Sequence, residues 1–438
     1  MRRLIFSLSL TLLWIASQTV NATDWPQWRG VDGQGHAQGA GYPLKWSETE
    51  GVIWKTEIPG RGWSSPVIWK NQIWLTTAIE IAASPEHAAE RMKANKSDQP
   101  LTLLDEVKLH VVCFDRESGR VMRDIEVLTE RDPQWVHKLN SYASPSPVIE
   151  EGRLYAHFGT FGTVCVDTTS GKVLWKNTDL KLMHENGPGS STFLVGNQVI
   201  FNGDGSDVQF VAALDKATGK VAWKTPRTGA MHDNVQFKKN YGTPLLVEMN
   251  GKSTLVSNGA DWVYGYDPAT GKELWKRSYG ALGFSLSSRP VAGHGMVYYS
   301  TGFMKPTMQA LRYEGMSEPE IAWTYTKGAP TMSSPILVGD ELYFVNDGGI
   351  LTCIDAKTGD EHYRERLGGN FNASPLFADG RLYFFSREGV THVIAPGKAF
   401  QKLGESKLDG QIMASPAAVD GAIFLRTDKA LYRIEKSR

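Results

Sequence analysis

Surplus charge of either sign is missing: 47 lysines and arginines stand against 47 aspartates and glutamates. No basic excess is available to gather phosphates, so nucleic acid is excluded as a partner class. Cysteine is scarce, with Cys113, Cys165 and Cys353 the only three, and no two are adjacent. Each sits two residues before a repeated aspartate (Asp115, Asp167, Asp355). Equivalent places in separately packed sheets lie roughly 10 Å apart, beyond the roughly 7 Å that a disulfide spans. The three are therefore expected to be small buried side chains. No nucleophile elbow, phosphate loop, zinc motif or haem-attachment C-x-x-C-H occurs. The one apolar run, Leu4–Ala16, is too short to span a bilayer comfortably. Following Arg2 and Arg3 and preceding Val20-Asn21-Ala22, it reads as a signal peptide over residues 1–22. Without a cysteine after it, no lipid anchor is indicated. The mature chain is expected in the periplasm or outside the cell, as a monomer with no membrane span.

What the sequence holds in abundance is turns and repetition, with 44 glycines and 14 tryptophans. Residues 144–177 show the unit: a Ser-Pro start (Ser146, Pro147), an apolar pair, a turn at Gly152, and an alternating run from Leu154 to Phe158. A glycine turn, an apolar run into Asp167, a Ser170-Gly171 turn and a run carrying Trp175 complete it. This is a pattern of four short strands joined by hairpins. Aligned starts at Pro66, Pro147, Thr192, Pro244, Pro290, Pro335, Pro375 and Pro416 give eight copies, the last ones 45, 40 and 41 residues apart. That period is the length of a propeller blade.

Trp175, Trp223, Trp275, Trp323 and Tyr363 recur in phase with the fourth strand and are read as blade-to-blade packing. Aspartates 115, 167, 215, 267 and 355 recur four residues before a glycine and are read as turn formers; the fifth and seventh copies lack the turn. After Pro416 only 22 residues remain, enough for three strands. The stretch from Val52 to Ile58 resembles a fourth strand without predecessors. Combining both ends in one blade closes the ring and removes exposed edges. The expected fold is thus all-β, a closed eight-bladed propeller of four-stranded antiparallel blades over residues 51–438. A glycine-rich segment, 23–50, is expected to clamp the outside of the fold through Trp25 and Trp28. An insertion over 80–108 carries a helix start at Ser84-Pro85, and a shorter expansion spans Leu128 to Tyr142.

The repeated D-x-x-[TS]-G-K-x-x-W pattern, seen in Asp215–Trp223 and Asp267–Trp275, resembles the pyrroloquinoline-quinone-like (PQQ-like) repeat β-propellers, as do the Ser-Pro starts and DWPQWRG at residues 24–30. The resemblance covers essentially the whole mature chain and implies two functions. Quinoprotein dehydrogenases hold PQQ with Ca²⁺ and oxidise alcohols or sugars. Their adjacent cysteine pair is missing here, and their Ca²⁺ ligands and catalytic aspartate match no positions of this chain. The other branch resembles the outer-membrane assembly scaffold, which binds partner proteins through its loops; its lipid-accepting cysteine is absent. The expectation is a non-catalytic binding propeller for a protein or carbohydrate ligand, with a PQQ-dependent oxidoreductase as the alternative.

Any site is expected on the blade-to-blade loops at the channel mouth. Two of these loops repeat an unusual set, Met183-His184-Glu185-Asn186 and Met231-His232-Asp233-Asn234. Their histidines are 48 residues apart, as are Trp175 and Trp223. His184, Asn186, His232 and Asn234 are therefore candidate ligand contacts, with Trp63, Tyr142, Tyr241, Asn372 and Gln411 on matching loops. No metal ligand or catalytic residue is assigned. The stretch Asp204-Gly205-Ser206-Asp207 has paired carboxylates that could touch a cation, but it is short of a full Ca²⁺ ligand set and reads as a turn.

Overall fold

The computed structural model describes residues 24–93, 100–280 and 283–437. The signal peptide expected at residues 1–22 lies outside them. Eight four-stranded antiparallel sheets form the ring. Each aligned start immediately precedes a short innermost strand: Val67–Trp69 in blade 1, Val148–Glu150 in blade 2, and so on to Ala417–Val419 in blade 8. Blade 8 is completed by the strand Val52–Glu57, which pairs antiparallel with Ala430–Ile434. Both chain ends thus close the ring. No helix among the described residues is long and apolar enough to cross a membrane.

A belt of hydroxyls ties neighbouring blades together where the innermost strands begin. The backbone N–H of Ser65 donates to Ser146 Oγ (2.9 Å), that of Ser146 to Ser191 Oγ (2.9 Å), and that of Ser191 to Thr243 Oγ1 (2.8 Å). The series resumes from Arg289 to Ser334, Ser334 to Ser374 and Ser374 to Ser415. Each such bond contributes about 1 kcal/mol net, and together they fix blade spacing around the channel. The position before the proline is therefore serine or threonine for a structural reason, and Arg289 is the exception.

The outer layer is held by tryptophan on glycine. Trp54, Trp175, Trp223 and Trp323 each lie against the turn glycine of the next blade. Their ring carbons stand 2.5, 2.5, 2.4 and 2.9 Å from where a Cβ would be on Gly119, Gly219, Gly271 and Gly359. These glycines also have φ between 71° and 80°, so both backbone and space demand glycine. Trp275 faces the fifth blade, which has no such turn, and covers Gly265 of its own blade instead, 2.2 Å from its ideal Cβ. The aspartates act as turn formers: Asp215 Oδ1, for example, accepts from the N–H groups of Ala217 (3.1 Å) and Thr218 (2.9 Å). All three cysteines are free and buried.

Residues 24–37 do not clamp the outside. They cross one end of the central channel. Trp25 pairs with Ile68, the Pro26 carbonyl accepts from Ile149 N, Ala292 N donates to Gln34 Oε1, His36 Nε2 meets the Leu337 carbonyl, and Gly35 and Ala37 pair with Phe377. Those five partners are the middle residues of the innermost strands of blades 1, 2, 5, 6 and 7. An innermost strand has one unpaired edge facing the channel, and those backbone groups need partners. This requirement, invisible in a single unit, draws the segment inward. Residues 42–46 then run along blade 7, where Tyr383 donates to the Pro43 carbonyl and Trp46 N to Ser406 Oγ.

The insertion lengthens two strands of blade 1, Gln72–Ala82 and Leu104–Asp115. It also carries a helix, Pro85–Met92, capped by Ser84. Arg91 donates to the carbonyls of Leu104 and Pro133, and Leu101–Thr102 pairs with Val136–His137. The insertion and the Leu128–Tyr142 expansion therefore form one structure.

Candidate functional site

In each blade the second-to-third strand loop and the connection to the next blade emerge on one face, opposite the Asp-Gly turns. Three parts of this loop face carry the candidate residues.

The first is buried between blades 2, 3 and 4. A tight turn at Glu185 (φ 63°), with Asn186 N donating to the His184 carbonyl (2.7 Å), directs His184 inward. Its ring packs edge-on against Phe161 (5.3 Å), and neither ring nitrogen has a hydrogen-bond partner. Burial lowers its pKa to about 3, so the imidazole is neutral. It lines a cavity of about 20 Å³ with His157, Asn202, Asp204, Asn240 and Tyr241, space for a single water. His157 stacks on Phe201 (4.0 Å) and shares a 2.8 Å hydrogen bond with Thr163. Burial and then the neighbouring His184 push its pKa down to about 3. Tyr241 donates to the His184 carbonyl (2.9 Å), and the Asn186 carbonyl accepts from His137 N and Asn140 Nδ2.

Asp204 and Asp207 do not converge on a cation. Asp204 takes a bidentate pair from Arg227 (2.6 and 2.7 Å), both side chains fully buried, while Asp207 accepts from Met183 N (2.7 Å). Burial works against both charges and raises the Asp204 carboxyl, while the bidentate contact with that carboxylate holds Arg227 protonated. Arg227 also reaches Ser257 and the Asn258 carbonyl of the next blade.

The second part is exposed. His232 and Asn234 occupy the equivalent loop yet a different environment: Asn234 is exposed and its side chain accepts from Gln236 N (3.0 Å), and His232 accepts from Asn234 N (3.0 Å). The two loops meet through Gln236 Nε2 and Glu185 Oε1 (3.0 Å), not through the histidines. From His232 an aromatic row runs through Phe237 (4.7 Å) and Phe284 (4.6 Å) to Phe303 (6.2 Å). Beside it Val235, Phe303 and Met304 are 48%, 55% and 51% exposed.

The third part is an open cleft of about 440 Å³ between blades 8 and 1, lined by Arg61, Trp63, Lys138, Leu139, Gln411, Met413 and Asp428. The Arg61 guanidinium lies over Trp63 at 5.5 Å, and Gln411 N donates to Asp428 Oδ1 (2.6 Å). Tyr142 belongs to none of the three: it is wholly buried against Phe161. Asn372 lines neither the cavity nor the cleft. The nine candidates are thus divided among separate places. Arg61, Asp428 and Arg227, the partner that engages Asp204, are not among the residues that the sequence pattern singles out.

Neither the cavity at His184 nor the aspartates Asp204, Asp347 and Asp428 offer a ready seat for PQQ with Ca²⁺. Calcium takes six to eight oxygens, whereas Asp204 is committed to Arg227, Asp347 to Thr331 and the N–H of Met332, and Asp428 to Gln411. The cavity beside His184, with room for about one water, is too small for a tricyclic quinone.

An eight-bladed ring with the hydroxyl belt and tryptophan-on-glycine docking defines a PQQ-like repeat propeller. Residues 82–225 and 259–396 match the family described as outer membrane protein assembly factor BamB, and the chain belongs to that family. A BamB from Burkholderia pseudomallei is 32% identical over 109 residues, 24% of this chain and 28% of that protein's length. The crystal structure of BamB from Moraxella catarrhalis superposes with a TM-score of 0.57 at 12% identity, covering 88% of this chain and 99% of that one. A europium-containing methanol dehydrogenase superposes with a TM-score of 0.62 at 10% identity, covering 93% and 90%. At these identities the structural likeness speaks for the fold alone.

Proposed function

We propose that the protein is an exported, non-catalytic scaffold that binds a partner protein through its loop face. The observation that carries this reading is the aromatic row from His232 to Phe303, with Val235, Phe303 and Met304 exposed beside it. Exposed apolar residues grouped on a rigid surface mark interaction sites. The family's assembly-factor description supports the same direction. The committed carboxylates weigh against the quinoprotein alternative.

A photo-crosslinking residue placed at Phe303 and, separately, at Leu174 on the outer edge tests the proposal in the native envelope. A discrete protein adduct from position 303 and none from 174 is expected. The proposal fails if neither position gives an adduct while PQQ with Ca²⁺ raises the Tm and supports dye reduction by alcohols or sugars.

A further inference from the structure

Two guanidinium groups are enclosed at the crossed end of the channel. Arg29 and Arg289 are 1% and 2% exposed. Arg29 Nη2 donates to the carbonyls of Gln34 (2.8 Å) and Pro335 (2.7 Å), while its Nε and Nη1 are buried without a partner. Arg289 donates through Nε to the Pro244 carbonyl (3.0 Å) and through Nη1 to the Trp28 carbonyl (3.2 Å), and it lies over the Phe193 ring at 5.5 Å. Among the described residues no carboxylate lies within ion-pair distance of either group. Asp32, the nearest acid felt by both, is solvent-exposed and bonded to Gln34 N. Burial and then Arg289 weaken the Arg29 charge.

Two like charges enclosed together with only carbonyls and a ring face around them are unbalanced. Buried charges in native proteins are paired, and orphaned N–H groups point to an ion or water. The surrounding space is narrow. A Cβ on Gly33 would stand 2.2 Å from Arg289 Nη1, and one on Gly35 would stand 3.0 Å from Arg29 Nη2. Both glycines have positive φ (70° and 91°), which lets this one loop pass against both guanidiniums. The placement is also particular to one blade: Arg289 replaces the serine or threonine that the other seven blades carry at this position.

From this geometry we propose that Arg29 and Arg289 form a buried binding site for a small inorganic anion of halide size, which cross-links the channel-crossing segment to blade 5. Arg29 Nε and Nη1 supply the free donors, Arg289 supplies the second positive charge, and the Gly33–Gly35 backbone excludes larger ions. The site is independent of the loop face.

Bromide is the probe. Crystals of the wild-type protein grown in sodium bromide should show an anomalous peak within hydrogen-bonding reach of Arg29 Nε or Nη1. In solution, the Tm should rise with the logarithm of bromide concentration above a gluconate control of equal ionic strength. Arg289→Ser restores the hydroxyl of the other blades, so it should fold, and its Tm should lose the bromide-specific rise. An ordered wild-type crystal without that peak would overturn the proposal. So would an Arg289→Ser variant that keeps the full bromide response.

Discussion

The Trp175 ring occupies the space that a side chain on Gly219 of the neighbouring blade would need, its Cε3 2.5 Å from the ideal Cβ position. The repeat pattern D-x-x-[TS]-G-K-x-x-W is therefore two halves of one interblade contact, the glycine serving the blade before and the tryptophan the blade after. Gly219→Ala should cost about 2–4 kcal/mol, combining a positive-φ penalty with overpacking. Gly196→Ala, at φ 55° with no heavy atom within 4 Å of its Cβ, should lose only the backbone share. Urea unfolding of the two variants measures the difference, and equal losses would refute the docking account.

The Asp204–Arg227 pair should behave as a buried pair. Asp204→Ala leaves an uncompensated guanidinium and is expected to lose about 3–5 kcal/mol, whereas combining Asp204→Leu with Arg227→Met is expected to recover most of it. Chemical denaturation of the single and double variants decides this. A single variant as stable as the wild type would show that the pair does not hold blades 3 and 4.

His157 and His184 make stability depend on acid. Both have folded pKa values lowered to about 3 from 6.5. The unfolded chain therefore binds more protons than the folded one between those values. Stability should be flat above pH 6.5 and fall as pH drops toward 3, by up to about 1.4 kcal/mol per pH unit for each histidine. Isothermal denaturation from pH 7.5 to 4 gives the profile, and His184→Gln should flatten it. An unchanged slope in that variant would remove His184 from the account.

Ring closure depends on the N-terminal strand. A chain lacking residues up to Glu57 leaves the edge of Ala430–Ile434 bare, an invitation to pairing between molecules. Light scattering should show association in the truncated chain, with a lower Tm. A truncated chain that stays monomeric and equally stable would contradict the closure role.

The architecture was legible in the sequence because each blade repeats the same requirements. Pro147, Asp167, Gly171 and Trp175 answer to local geometry, and eight copies make that geometry visible. Placement of the segment around Trp25 was not legible, since its partners are unpaired backbone edges and carry no side-chain signature. His184 and His232 share spacing but not surroundings: Glu185 turns one inward under Tyr241, while Asn234 caps a turn that leaves the other beside Phe237. Arg289 was readable in principle as the one basic residue in a column of hydroxyls.

The pairing of Val52–Glu57 with Ala430–Ile434 also sets an order of events. Synthesis delivers the outer strand of the eighth blade long before its partner, so the ring stays open until Ala430–Ile434 has emerged. Closing the ring must wait on a contact between strands far apart in sequence, the kind of distant pairing that slows assembly. Meanwhile an unfinished sheet edge stands open to other chains.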